Sequence, residues 1–132
     1  MSTSAIQRIE NALIAVAIMV AFIVADYPWW VLFVLFLAFD LSALPYLWNT
    51  RIGAISYNVI HNYAGPAALA IVYLIGAGMD ADMRVVGIVA GCWAFHVAVD
   101  RALGYGLKEG SGFRHTHLGT IGRLGSESAN QP

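Results

Sequence analysis

Four apolar runs follow one another along most of this chain, each close to the roughly 20 residues that a membrane-spanning helix needs. They cover about 6–25, 29–48, 51–78 and 83–103. The three connections are very short, so neighbouring helices must run antiparallel. The expected fold is all-α: one integral membrane domain over 1–132, a four-helix bundle with a short C-terminal tail from 104 onward. Composition removes the alternatives. The chain is 59% hydrophobic and 11% charged, against about 45–50% and about 25% in soluble domains. Seven Lys plus Arg against eight Asp plus Glu leave no basic field for a nucleic acid. A single cysteine, Cys92, excludes an intrachain disulfide framework and any CxxC motif.

The first run resembles a signal peptide in size, but Ile23 occupies the third position before a cut at Ala25, where a small residue is wanted. It is therefore expected to stay as a span. With four crossings, Arg8, Arg51, Arg101, Lys108, Arg114 and Arg123 fall on one side and Arg84 alone on the other. The positive-inside rule then places both termini in the cytoplasm and the protein in the inner, cytoplasmic membrane. Tyr27, Trp29 and Trp30 form an outer aromatic belt, Tyr46 and Trp48 an inner one, with Tyr57 and Tyr105 read as interface anchors. Residues 126–132 read as a disordered end.

Ionisable residues inside the spans carry the functional signal, because each costs at least about 2.5–3.5 kcal/mol in lipid. At 1.5 Å rise per residue, Asp40 lies roughly 12 Å from the cytoplasmic end of its span, His61 roughly 15 Å, His96 roughly 10 Å and Asp100 roughly 5 Å. Three helices thus place such groups in the inner half, and a shared polar pocket is the economical reading. His96 and Asp100 are spaced i, i+4, and Asn58, His61 and Asn62 fall on one face of theirs. Pro45 and Pro66 each free the carbonyl four residues earlier, that of Leu41 beside Asp40 and that of Asn62 beside His61, which suggests two kinks lining a cavity. Gly87 and Gly91 form a GxxxG pair suited to another helix or to a second copy in a homodimer.

Each group also has a plainer reading. His96 and Asp100 suit a structural pair, Asn58 and Asn62 interhelical hydrogen-bond glue, Arg101 snorkelling to the surface, and Cys92 core filling. The stretch 110–119 either folds against the cytoplasmic mouth, bringing Lys108, Arg114 or His117 near Asp100, or lies on anionic headgroups.

The blocks Phe39-Asp40-Leu41-Ser42, Tyr57-Asn58-Val59-Ile60-His61-Asn62-Tyr63, Asp100-Arg101-Ala102-Leu103-Gly104-Tyr105-Gly106-Leu107-Lys108 and Thr116-His117-Leu118-Gly119 resemble an uncharacterised bacterial family of small membrane proteins, a domain of unknown function. The resemblance spans nearly the whole chain. It implies membrane topology and a polar site, with Asp40, His61, Asn62, His96, Asp100, Arg101, Lys108 and His117 at motif positions; His115 departs from the pattern.

Two imidazoles and two carboxylates on facing helices match the ligand chemistry of zinc, iron or manganese in helical bundles. The expectation is a membrane-embedded enzyme hydrolysing an apolar or lipid-like substrate with metal assistance. Asp40, His61, His96 and Asp100 would be catalytic and hold the metal, and Asn58, Asn62, Arg101, Lys108 and His117 would contact substrate. A proton-coupled transporter and a metal-free His–Asp isomerase are the alternatives. A haem between His61 and His96 is disfavoured because Asp40 and Asp100 would crowd it.

Overall fold

A computed structural model describes residues 2–117 and 119–121. The chain is mostly helical. Helix α1 (Thr3–Val24) starts at Ser2, whose hydroxyl accepts from Ala5 N at 3.2 Å, and it runs unbroken until Asp26 turns into the left-handed region at φ 52°. An apolar stretch follows in three pieces: α2 (Val31–Val34), α3 (Phe36–Asp40) and a 3₁₀ helix (Leu41–Leu47). Pro45 has no amide to offer an α-helical ladder, and the tighter 3₁₀ turn surrounds it. Asn49 then caps α4 (Thr50–Ile60), its side chain accepting from Arg51 N and Ile52 N.

The third apolar run is interrupted. Helix α4 stops at Ile60, and α5 (Ala64–Ala77) starts four residues later. Asn62 serves both ends of the break. Its Nδ2 donates to the carbonyls of Asn58 and Val59, and its Oδ1 accepts from Ala64 N at 2.8 Å. Pro66 consequently lies in the first turn of α5, where a missing N–H costs nothing. The kink expected at Pro66 is therefore a full break upstream of it.

Three segments are long and apolar enough to cross a membrane: Thr3–Val24, Thr50–Ala77 and Arg84–Leu103, while Val31–Leu47 is shorter. This corrects the expectation of four full-length helices, since the second run is divided and shortened. Large apolar side chains such as Leu13, Val20, Leu37, Leu74 and Val85 face outward.

Helix α6 (Arg84–Leu103) is the centre of the packing, with α1, α5, α2 and α3 against it. Phe22, Leu32, Cys92, Phe95 and Ala98 form the buried core, which agrees with Cys92 as core filling. Gly91 lies against the ring of Phe22, and Gly87 against Tyr73 and Tyr27, so rings of the same chain cover both glycines. A side chain at Gly91 would collide with Phe22. The helix ends at Gly104, whose φ of 96° suits glycine, with Tyr105 N donating back to Asp100 O at 2.8 Å.

The tail does not remain an irregular strand of chain. β1 (Lys108–Glu109), β2 (Gly112–Thr116) and β3 (Gly119–Thr120) form an antiparallel sheet in that order, pairing Lys108 with Thr116 and His115 with Thr120. β1 and β2 pack on α4. The disordered end expected at 126–132, and Arg123, lie outside the described residues.

Candidate metal centre

Asp40 is the last residue of α3 and His61 follows the last residue of α4, so both sit where a helix breaks. His96 and Asp100 come from consecutive turns of α6. One ligand atom from each of the four lies within 4.8 Å of all the others. The two Nε2 atoms of His61 and His96 are 2.9 Å apart. Asp40 Oδ1 is 3.5 Å from His61 Nε2 and 3.7 Å from His96 Nε2; Asp100 Oδ2 is 3.5 Å and 3.9 Å from the same atoms. A tetrahedral ion with bonds of about 2.1 Å separates its ligands by about 3.4 Å. The observed edges bracket that length.

The surroundings prepare the ligands. His61 Nδ1 faces the Tyr57 carbonyl at 3.0 Å, and a carbonyl only accepts, so the proton is on Nδ1 and Nε2 presents its lone pair to the cluster. Ser42 Oγ stands 3.4 Å from the same Nδ1. Tyr57 also donates its hydroxyl to Asp100 Oδ2 at 2.9 Å and stacks its ring on His61 at 3.5 Å. Phe36 and Phe39 flank His96, whose Nδ1 is buried with no hydrogen-bond partner among the described residues.

Charge makes the same point. Among the described residues neither carboxylate pairs with Arg or Lys; their ionic partners are the two imidazoles. With both carboxylates ionised and both imidazoles unprotonated, the cluster would carry two negative charges, which one divalent cation would balance. His61, His96 and Asp100 are buried, while the Asp40 side chain is 43% exposed. Three ligands are thus enclosed and the fourth corner opens outward.

The remaining expected site residues take supporting places. Asn58 bonds both ways with the Lys108 backbone, donating to its carbonyl at 2.8 Å and accepting from its amide at 2.6 Å. Asn62 closes the helix break. Arg101 donates to the His61 carbonyl at 3.2 Å and lies 2.9 Å from His117 Nε2 through its other terminal nitrogen. His117 Nδ1 accepts from Leu107 N at 2.9 Å, and burial with the neighbouring Arg101 charge holds its pKa below the ordinary value. The tail therefore folds back onto the helices through His117 and Lys108, and Arg114 stays exposed. Lys108 is buried among aromatic rings, not at an open mouth.

Tyr57 is the residue that sequence reasoning misplaced. As an interface anchor it would be exposed, yet only 3% of it is, and it touches two of the four ligands. Its position four residues before His61 was the available signal. Trp93, whose Nε1 donates to the Ile60 carbonyl, has no sequence signal of its own, and Ser42 enters the sequence reading only as the end of the block that starts at Phe39.

A family model described as Domain of unknown function (DUF4260) matches residues 4–121. No curated protein and no solved structure matches the chain.

Proposed function

The chain belongs to this family of unknown function, and from that premise we propose that it is a membrane-embedded metalloenzyme. Its chain crosses the cytoplasmic membrane four times with both termini inside, the shorter segment Val31–Leu47 serving as the second crossing. Asp40, His61, His96 and Asp100 hold one divalent ion of the zinc, iron or manganese type in the inner half of the bilayer. The observation that carries this reading is the convergence of four ligand atoms around two facing Nε2 atoms, with the His61 tautomer set by the Tyr57 carbonyl.

Four protein ligands fill a tetrahedron, so a reacting water would take a fifth position on the side of Asp40, the exposed ligand. A bound metal there would supply water with its pKa lowered to about 7, enough for hydrolysis without a serine or cysteine nucleophile. Apolar walls favour a lipid-like substrate entering sideways from the bilayer. Arg101 and His117, at the cytoplasmic end, suit an anionic headgroup.

The test is elemental analysis of detergent-purified protein, wild type beside His61→Ala and His96→Ala, followed by hydrolysis of phospholipid vesicles. About one metal per chain, lost in both variants, supports the reading. Absence of metal from wild type, or its retention in both variants, overturns it. The His96–His61 hydrogen bond between carboxylates favours one other reading, a proton relay. That reading expects proton flux in liposomes which Asp40→Asn abolishes.

A further inference from the structure

Lys108 is the one lysine in the chain; the other six members of the Lys-plus-Arg set are arginines. A lysine beyond the end of a spanning helix ordinarily extends its ammonium to water or headgroups. Here the residue is 4% exposed, and its Nζ has no hydrogen-bond partner among the described residues. Three rings enclose it, with Nζ 4.0 Å from the centroid of Phe113, 4.8 Å from Tyr57 and 5.4 Å from Tyr105. The paired bonds between Asn58 and the Lys108 backbone fix the root of the side chain. Phe113 also meets Tyr46 edge-on at 5.3 Å, and the Tyr46 hydroxyl is likewise buried without a partner. An amine and a phenol, both unsatisfied, therefore flank one ring.

Arginine would serve as well as lysine for a charge held against aromatic faces. What lysine adds is an amine that can lose its proton and attack. We propose that Lys108 captures the carbonyl of a lipophilic aldehyde or ketone from the bilayer as a Schiff base. The Nζ lone pair forms a bond to the carbonyl carbon, the C=O π pair moves to oxygen, and that oxygen takes one of the two amine protons. The carbinolamine then loses its hydroxyl as water while nitrogen gives up its remaining proton, leaving C=N. No redox partner enters. Burial brings the Lys108 pKa down to about 8, with Asp100 opposing the shift, so free amine is available near neutrality. Phe113 and Tyr105, at 43% and 38% exposed, are the walls whose rotation would admit the carbonyl.

This chemistry uses none of the proposed metal ligands and stands or falls separately from them. The experiment incubates the full-length protein in detergent with decanal and cyanoborohydride, then maps the decyl adduct by peptide mass spectrometry. The N-terminal amine is an internal reference, because α-amines titrate at about 8 as a class and so match Lys108 in free-amine fraction. The expected result is labelling of Lys108 at least about tenfold faster than the N-terminus, a preference that disappears in unfolding detergent. Lys108→Arg keeps the charge and removes the adduct. Equal rates at both amines, labelling confined to the N-terminus, or a preference that survives unfolding would overturn the proposal, and none of these needs the variant to fold.

Discussion

The two halves of helix α6 obey different rules. From Arg84 to Gly91 only Ala90 is buried, and small residues lie against the rings of Phe22 and Tyr73 beside an apolar groove of about 510 Å³. From Cys92 to Asp100 the helix buries Cys92, Phe95, His96, Val97, Ala98 and Asp100. The backbone is equally regular in both halves. What differs is the company: α1 and α5 are continuous helices, whereas α3 and α4 end beside His96. A regular helix can offer an i, i+4 pair, but it cannot bring a third and fourth ligand to the same point. The helix ends at Asp40 and His61 do that, and Asn62 satisfies the backbone groups that the second break exposes.

Substitutions on each half sharpen this contrast, beginning with the largest effect. His96→Ala should empty the centre completely, read as metal per chain after gel filtration, while leaving the α1–α6 contact intact. Asp40→Asn should weaken metal retention less, because the other three ligands are enclosed; a chelator titration against wild type reads the difference. Tyr57→Phe keeps the ring stack and the carbonyl but removes the hydroxyl from Asp100, and should lower metal affinity by about 10–100-fold. On the other half, Gly91→Val drives a side chain into Phe22 and should cost about 1–3 kcal/mol of stability with metal content unchanged. Metal loss in Gly91→Val at full folding would contradict the division of the helix.

The smallest effect is on pH. His117 has a folded pKa below its unfolded value, so the unfolded chain takes up the proton first as pH falls. Its contribution to tail docking is therefore complete above about 6.5 and is lost as pH drops toward the lower folded pKa. Amide exchange in β2 should accelerate over that acid range in wild type and lose this dependence in His117→Gln.

Much of this was legible in the sequence because lipid makes polar residues conspicuous. Asp40, His61, His96 and Asp100 stood out by burial cost alone, and comparable depth brought them together. The breaks were harder to read. Pro66 signalled a kink, but the stop at Ile60 depends on Asn62 bonding to both helix ends, a local competition that apolar periodicity does not register. Tyr57 was misplaced because tyrosine suits both an interface and a buried hydrogen bond. The sheet in the tail is short and glycine-rich, and its docking rests on Asn58 and Lys108, which are 50 residues apart.

X-ray absorption at the edge of the co-purifying metal tests the central claim most directly. The account predicts a four- or five-coordinate ion with two imidazole nitrogens and oxygen ligands at about 2.0–2.2 Å in wild type, and no bound metal to give an edge in His96→Ala. A shell of oxygen alone, a sulfur ligand from Cys92, or a spectrum unchanged by the variant would contradict it.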